Sequence, residues 1–431
     1  MVANQALGTE TMSKGTDINI DPSCEDIFDS TLMSVEGALE QIATMVSPSE
    51  NYEVVPLRET LGRVLSRDIV SPTNVPNHNN SAMDGYAIRF DDLSRHYLTS
   101  VGTAWAGKRF EGIINPGECV RIMTGAVMPG NSDTVVMQEH TERNGDTVRV
   151  AQGQKRGQHV RYAGEDLGNG EVALLAGIRI SPAELGIAAS LGVSELPVYK
   201  KPTVAFFSNG DELRPITEQL GHGEVYDSNR HTLYGMLTQA GVELVDLGLV
   251  PDDPVRIKET FAEASKIADL VITSAGASVG EADYVHDILQ ELGKVRFWKI
   301  AMKPGRPLAV GQIGSAILFG LPGNPVSVMV TFYQFVLPAL RRLSGEKNIS
   351  GFRCSARVSD KLRKKPGRAE FQRGVLSLGR DGQLIVKTTG EQGSGILTSM
   401  SRANCFIVLP LESNGADVGD IVTVEPFASL L

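Results

Sequence analysis

Residues 203–208 read TVAFFS, a continuous apolar run that begins directly after Pro202. Such a run, bounded by turn residues, is typical of a strand buried on both faces of a sheet. Helical and strand-like segments then alternate along the chain, with helices predicted at 229–240, 254–268, 283–292 and 326–343, and strands at 242–249, 270–273, 295–300 and 316–319. This alternation predicts a doubly wound, mostly parallel α/β domain over residues 201–347.

The sequence on either side of this domain reads as short strands and turns. Turn residues such as Asn144-Gly145-Asp146 separate strand-like runs before the domain, and Gly379-Arg380-Asp381-Gly382 does so after it. The fold class predicted is therefore multi-domain α/β plus β. We predict a flexible tail at 1–30, a helical and β linker domain at 31–70 and 165–200, an inserted β-rich domain at 71–164, and a C-terminal β-barrel-like domain at 348–431.

Composition limits the classes of function. The chain has 431 residues and a net charge of −10 at pH 7, which argues against a general nucleic-acid binder. Apolar runs fall short of the ~18 residues that span a bilayer, and residues 1–30 are acidic without the apolar core of a signal peptide. The four cysteines form no CxxC pair, so a reducing, cytoplasmic location is the simplest expectation.

The sharpest local feature is TSAGASVGEADY at residues 273–284, where a predicted strand runs through small residues into a helix. Small residues let backbone N–H groups approach an oxyanion at such a place, and parallel sheets bind ligands at this edge. The candidate binding residues are Ser274, Gly276, Ser278 and Gly280. A tight turn with Asp283 as a first-turn helix acid explains the same residues equally well.

A second loop, LPGNP at residues 321–325, also connects a strand to a helix. Its prolines stiffen the turn, and glycine and asparagine tolerate positive φ. Beside the first loop, Pro322, Gly323, Asn324 and Pro325 would form the other wall of one pocket. The alternative is that these residues only form a stable N-terminus for the helix.

Three cations lie close together in KIAMKPGRP, at Lys299, Lys303 and Arg306. In an acidic protein, and beside loops suited to anions, they indicate a phosphate or another oxyanion. A surface hairpin with solvated side chains is the alternative, and it is the usual explanation for an isolated charge cluster.

Acidic residues follow successive predicted strands. Asp211 and Glu212 come after the first strand of the α/β domain, Asp252 after the second and Asp283 after the third. Parallel strands bring these positions to one edge, and carboxylates that face phosphates need a hard cation such as Mg²⁺ between them. The predicted metal ligands are Glu212, Asp252 and Asp283.

One further pattern suggests a different class of enzyme. Gly276, Ser278 and Gly280 match the G-x-S-x-G nucleophile elbow of serine hydrolases. That chemistry needs a histidine well after the serine, but His286, on the next predicted helix, is the only later one. We keep the hydrolase as a weak alternative.

Taken together, the motifs resemble the molybdopterin molybdenumtransferase family, which includes the C-terminal domain of gephyrin. The resemblance extends from about residue 31 to 430 and is carried by NSAMDGYA, RIMTGA, GED, SNGDEL, TSAGASVGEADY, KPGRP and LPGNP in this order. It implies insertion of molybdenum from molybdate into adenylylated molybdopterin, with release of AMP and help from a divalent cation. It also implies a homodimer, working with the molybdopterin adenylyltransferase and with downstream cofactor-maturation proteins.

The resemblance assigns roles to individual residues. It implies that Asp84, Thr124 and Asp166 come to the active cleft from the second chain. Within one chain it implies roles for Glu212, Asp252, Asp283, Lys299, Lys303, Arg373 and Ser394. The dithiolene sulfurs of the substrate would attack molybdenum, which accounts for the missing protein nucleophile.

The chain departs from the family pattern at two places. It has Ala275-Gly276-Ala277-Ser278 where the family usually has Gly-Gly-Val-Ser, and His78-Asn79-Asn80 where the family usually has Phe-Asp-Asn. A non-catalytic binding or scaffold protein similar to gephyrin is therefore a further alternative, although no partner domain or linker supports it.

Overall fold

The computed structural model of the chain describes residues 32–274, 284–349 and 351–427. The chain divides into two compact units. The α/β unit comprises Met1–Ser47, Pro202–Arg342 and Ile349–Leu431, and the β-rich unit comprises Pro48–Lys201 and Leu343–Asn348. Among the described residues, no helix combines the length and the apolar character needed to cross a bilayer.

The α/β unit contains the predicted mostly parallel sheet. Its strands, in spatial order, are Glu243–Val250, Thr203–Asn209, Leu270–Ser274, Ala316–Leu321, Pro307–Ile313 and Lys294–Lys299. The first four are mutually parallel, and Pro307–Ile313 runs antiparallel to both of its neighbours. The predicted fold class is therefore confirmed, with four adjacent strands pointing their carboxyl ends to one edge.

Helices alternate with these strands where the sequence predicts them. They are Ser228–Ala240, Pro254–Ile267, Tyr284–Leu292, Pro325–Thr331 and Leu337–Leu343, the last two joined by a π-helical turn at Phe332–Val336. A further helix of this unit is Val35–Met45. One buried cluster joins Phe207 of the sheet to Phe261 and Leu289 of two helices. Asp227 and Asp253 cap two helices by accepting hydrogen bonds from backbone N–H groups.

The strand Pro307–Ile313 was missed by the sequence analysis. Its neighbours approach it closely, because a Cβ on Gly311 would lie 2.4 Å from the carbonyl oxygen of Lys294. The glycine that this pairing requires interrupts the apolar run and hides the strand from pattern reading.

The C-terminal part of the α/β unit is a closed barrel, as predicted. Its strands are Cys354–Val358, Ala369–Leu378, Leu384–Thr388, Cys405–Leu409 and Ile421–Pro426. Pairing of Ala369–Leu378 with Cys405–Leu409 closes the barrel around a core that includes Val386, Ile407 and Val424. Met302–Lys303 adds to the barrel by pairing with Ala369 and Glu370.

The β-rich unit is built on a second sheet. Its strands, in spatial order, are Thr134–Met137, Gly85–Ile88, Glu118–Ile122, Tyr97–Ala104, Thr147–Val150 and Thr141–Asn144. Shorter antiparallel pairs are Tyr52–Pro56 with Glu195–Tyr199, Ile69–Val70 with Val172–Leu174, and Asn80–Ser81 with Val160–Arg161. The helix Pro182–Ser190 begins with a capping box formed by Ser181 and Glu184.

Three cysteines, Cys119, Cys354 and Cys405, lie in the described ranges and are free thiols. Burial raises the pKa of both Cys119 and Cys405 to about 12. These two side chains therefore stay protonated at neutral pH, and they pack as small apolar groups rather than acting as nucleophiles.

Candidate functional site

The carboxyl ends of the four parallel strands meet at one edge of the sheet. In the strand register, Ser208 lies opposite Ser274, and Ser274 lies opposite Leu321. Asn209 lies opposite Val250 on the other side. The segments that follow these strands, including LPGNP, therefore begin side by side, as predicted for the walls of one site.

The acidic loops at this edge are joined directly. Asp252 accepts hydrogen bonds from the side-chain amide of Asn209 at 3.0 Å and from the backbone N–H of Asp211 at 3.3 Å. The backbone N–H of Asp252 donates in return to the Asp211 carboxylate at 3.3 Å. Glu212 follows immediately and is exposed. The structure thus brings Asp252 beside the loop of Glu212, two of the predicted metal ligands.

Ser274 has a more internal position than the sequence suggested. Its hydroxyl is buried and lies 2.8 Å from the hydroxyl of Ser208. Ser208 in turn donates to Asp227 at 3.0 Å, the residue that caps the next helix. The hydroxyl of Ser274 therefore joins the ends of two strands.

The LPGNP loop is held from two directions. The side chain of Asn229 donates to the carbonyl of Gly323 at 2.7 Å, and the backbone N–H of Val326 donates to the carbonyl of Ser394 at 3.1 Å. Pro325 begins the helix, while the side chain of Asn324 makes no capping hydrogen bond. The exposed side-chain amide of Asn324 therefore does not cap the helix that it precedes.

Arg373 supports the neighbouring loop from below. Its side chain is buried, and it donates to Ser399 Oγ at 3.0 Å and to the carbonyl of Gly393 at 2.9 Å. Burial lowers the pKa of Arg373 to about 10, which still leaves it protonated at neutral pH. The structure thus places Arg373 and Ser394 beside the start of the LPGNP helix, with Arg373 fixing the loop that contains Ser394.

The cationic segment packs against the same helix. The backbone N–H of Ile300 donates to the carbonyl of Arg306 at 2.8 Å and closes the turn between two strands. Gly305 has a φ of +96°, and a Cβ there would lie 2.6 Å from Cγ2 of Thr331. Only glycine fits this approach, which brings Lys303 and Arg306 close to the helix that follows LPGNP.

A residue that the sequence analysis missed lies beside Lys303. The carboxylate of Glu370 is 3.4 Å from Lys303 Nζ, and Gln372 donates to its other oxygen at 2.7 Å. Glu370 is buried, with 7% of its surface exposed, whereas Lys303 is exposed. A buried acid that contacts the cationic motif fixes where that cation lies. The motif RAEFQR at 368–373 was its only sequence signal.

Replacing Glu370 with glutamine should therefore impair the site without unfolding the protein. Loss of a partner that positions a metal ligand typically costs 10–100-fold, and for this partner of a lysine we expect turnover to fall by about tenfold, the lower end of that range. Because Lys303 is exposed, the free energy of unfolding should change by only about 1 kcal/mol.

The matched control is Asp417→Asn, which breaks the exposed Lys361–Asp417 ion pair at 2.7 Å, away from this cluster. Turnover should be normal in that variant. Equal loss of stability and normal turnover in both variants would contradict a positioning role for Glu370.

The β-rich unit brings its own motifs together. The carboxylate of Asp84 accepts from the backbone N–H of Thr124 at 2.7 Å and from the Thr124 hydroxyl at 2.8 Å. These hydrogen bonds, the backbone bond foremost, hold the pKa of Asp84 below its usual range. Asn79 accepts from the N–H of Ala163 at 2.9 Å, near the exposed Asp166. These hydrogen bonds join the loops of Asp84, Thr124 and Asp166 into one exposed polar cluster.

Four predicted residues, Gly276, Ser278, Gly280 and Asp283, lie outside the described residues, and so do Ala275 and Ala277. Within the described part of the chain, no group of three His, Cys, Asp or Glu side chains is arranged to hold a metal ion. The predicted set of Glu212, Asp252 and Asp283 extends beyond that part. His286, the histidine of the hydrolase alternative, lies on the helix Tyr284–Leu292 as expected.

Family comparisons cover most of this architecture. Residues 33–192 match the MoeA N-terminal region (domain I and II), residues 205–342 match a probable molybdopterin binding domain, and residues 355–427 match the MoeA C-terminal region (domain IV). The three matches follow one another along the chain, as the motifs do.

Individual proteins similar to this chain come from the same family. The chain is 43% identical to a molybdopterin molybdenumtransferase of Haemophilus influenzae, over 93% of this chain and 100% of that protein. It is 33% identical to a gephyrin of Dictyostelium discoideum, over 87% of this chain and 59% of that protein. A crystal structure of the molybdopterin biosynthesis moeA protein from Pyrococcus horikoshii OT3 matches with a TM-score of 0.81 and 30% identity, over 92% of this chain and 100% of that one.

Fold, strand-end site and matched domains together define a protein of molybdenum cofactor biosynthesis. The chain belongs to the molybdopterin molybdenumtransferase family, a family of enzymes.

Proposed function

We propose that this enzyme inserts molybdenum from molybdate into adenylylated molybdopterin and releases AMP, with Mg²⁺ as its metal cofactor. The observation that carries the proposal is the edge of the α/β sheet, where Asp252 is hydrogen-bonded to the loop of Glu212. The LPGNP loop begins at the same edge, and the KPGRP segment packs on the helix that follows it. Acids and cations on one edge suit a substrate with a pyrophosphate and an oxyanion.

The donors present fit a hard divalent cation. Asp252 uses each carboxylate oxygen for one hydrogen bond, which leaves a lone pair on each oxygen, and Glu212 offers an exposed carboxylate. Oxygen ligands from carboxylates are the kind that Mg²⁺ prefers. Glu212 and Asp252, with Asp283, would hold the ion, and bound Mg²⁺ would supply Lewis-acid polarisation of the pyrophosphate.

The cations would bind the anionic groups. Lys303, fixed by Glu370, and Lys299 would contact oxygens of molybdate or phosphate, and Arg306 would add a planar donor set suited to phosphate. The exposed Gly323 and Asn324 would approach the substrate with backbone and amide groups. Gly276, Ser278 and Gly280 would do so from the first loop.

We further propose that the enzyme is a homodimer whose cleft is completed by the second subunit. Asp84, Thr124 and Asp166 would be the contribution of that subunit. The exposed Asp84–Thr124 pair supports this role, because both side chains are accessible to a ligand that arrives from outside their own unit. A cytoplasmic location and contacts with the adenylyltransferase and later maturation proteins remain predictions.

The test is AMP release from adenylylated molybdopterin, measured with and without molybdate and with Mg²⁺ or EDTA. The proposal requires AMP and molybdenum-loaded cofactor to appear together, and both to stop when EDTA removes the metal. Ligand binding without turnover would favour the scaffold alternative. A rate of AMP release that depends on neither molybdate nor EDTA would favour a hydrolase.

Replacing Ser278 with alanine should weaken substrate binding only modestly. If Ser278 donates one hydrogen bond to a phosphate oxygen, its loss costs about 1 kcal/mol, or about a fivefold rise in KM. Turnover at saturating substrate should persist. A covalent adduct of Ser278 with a fluorophosphonate probe, found by peptide mass spectrometry, would instead identify the serine as a nucleophile.

A further inference from the structure

A concave surface in the β-rich unit is not accounted for by the residues discussed so far. It is a depression of about 650 Å³ on the sheet, within the size range of small-molecule sites. Its wall and floor are formed by Trp105, Arg121, Arg143, Tyr86 and Glu139, among others. Two arginines face one carboxylate here, in a protein whose net charge is −10. Such a local excess of positive charge favours an anionic ligand.

The aromatic wall is rigid and open to solvent. Trp105 exchanges two backbone hydrogen bonds with Lys108, each 3.0 Å long, so a tight turn fixes its position. Its side chain nevertheless has 52% of its surface exposed. An indole held out of the core in a concave site provides a face on which a planar ring can stack.

The positive wall is also held in place. The guanidinium carbon of Arg121 lies 5.1 Å from the ring centroid of Tyr86, which is fully buried. One nitrogen of Arg121 donates to Gln138 at 2.5 Å. Arg143 donates to the carbonyl of Gly145 at 2.7 Å, and another of its nitrogens lies 3.9 Å from the exposed carboxylate of Asp146. Each arginine keeps further donors that can serve a phosphate.

The depression borders the exposed polar cluster. The backbone N–H of Gln138 donates to the carbonyl of Asp84 at 3.1 Å, and Met123, which lines the depression, directly precedes Thr124. A ligand bound here would therefore extend toward Asp84 and Thr124, which the proposed function places in the active cleft.

We propose that this depression binds the pterin end of the substrate, with the ring on Trp105 and the phosphate oxygens near Arg121 and Arg143. Glu139 also lines the depression, and its exposed carboxylate can accept hydrogen bonds from the amino group and adjacent ring N–H of a pterin. Adenine has the amino group but no adjacent ring N–H, which favours the pterin over the AMP end. This assignment deepens the proposed function and depends on it for the identity of the ligand.

The test is equilibrium dialysis of the intact protein with neopterin monophosphate or with AMP, without molybdate or turnover. Trp105→Ala should weaken pterin binding about tenfold or more, the range found when a base loses a stacking aromatic. Arg121→Gln should weaken it severalfold. The control is Arg149→Gln, on the same sheet but outside the depression and paired with Glu142 at 2.9 Å, which should leave binding unchanged.

Pterin binding that is equal in wild type, Trp105→Ala and Arg121→Gln would overturn the assignment. So would loss of AMP binding, rather than pterin binding, in these two variants. Circular dichroism of each variant shows whether the sheet is intact, and Trp105→Phe, which keeps a ring, should restore most of the affinity. The dialysis assay needs no catalysis. Its results can therefore be interpreted even if the turnover experiment shows no release of AMP.

Discussion

Replacing Glu212 with glutamine should lower molybdenum insertion by about 100-fold or more, because loss of a direct ligand exceeds the 10–100-fold typical of outer partners. Glutamine keeps the size of the side chain but removes its charge. Glu212 is exposed, so the free energy of unfolding should change by no more than about 0.5 kcal/mol. The measurement is the insertion rate at saturating substrate over a range of Mg²⁺ concentrations, with thermal unfolding in parallel.

The control for this variant is Glu218→Gln, another exposed carboxylate on the same segment. It should have normal turnover and a normal Mg²⁺ dependence. Excess Mg²⁺ should rescue Glu212→Gln in part, because a weakened site fills at higher concentration. We expect Asp283→Asn to behave in the same way. Near-normal insertion in both Glu212→Gln and Asp283→Asn would mean that the metal is held elsewhere.

The sequence was sufficient to predict the four parallel strands of the sheet, whose carboxyl ends meet at one edge. Runs such as TVAFFS are apolar throughout because both faces of the strand are covered, and that pattern depends on local residues alone. The position of Asp252 beside the loop of Glu212 then follows from topology, since parallel neighbouring strands end at the same edge.

Contacts made by distant parts of the chain could not be predicted. Glu370 contacts Lys303 because the Met302–Lys303 strand pairs with the barrel, and no local pattern encodes that pairing. The burial of Ser274 has a similar cause, since its partner Ser208 lies on a different strand. Both are side-chain arrangements fixed by tertiary packing rather than by the local motif.

The depression beside Trp105 is a second feature that the sequence analysis could not predict. Trp105, Arg121 and Arg143 lie on three separate segments, and of these residues Arg121 alone belongs to a motif that the sequence analysis selected, RIMTGA. Their proximity results from the order of strands in the β-rich sheet, where Tyr97–Ala104 pairs with both Glu118–Ile122 and Thr147–Val150. A site built from single residues of several strands has no spacing that a sequence can reveal.

Mixing two inactive variants should restore activity if the cleft is shared between subunits. Asp84→Ala and Lys303→Ala should each abolish most turnover, since each alters both clefts of its homodimer. After unfolding and refolding together, about half of the dimers should be heterodimers, each with one intact cleft of two, so about a quarter of wild-type activity should return. The measurement is molybdenum insertion by the refolded mixture and by heterodimers isolated with two different affinity tags, which should have about half of wild-type activity.

The decisive control mixes Asp84→Ala with Thr124→Ala. Both residues lie on the β-rich unit, and the Thr124 hydroxyl donates to Asp84 at 2.8 Å, so both would be supplied to a cleft by the same subunit. Every cleft in that heterodimer carries one altered residue of the pair, and activity should not return. Recovery with Lys303→Ala but not with Thr124→Ala therefore assigns Asp84 and Lys303 to opposite sides of the interface. No recovery in either mixture would place Asp84 and Lys303 in the cleft of a single subunit.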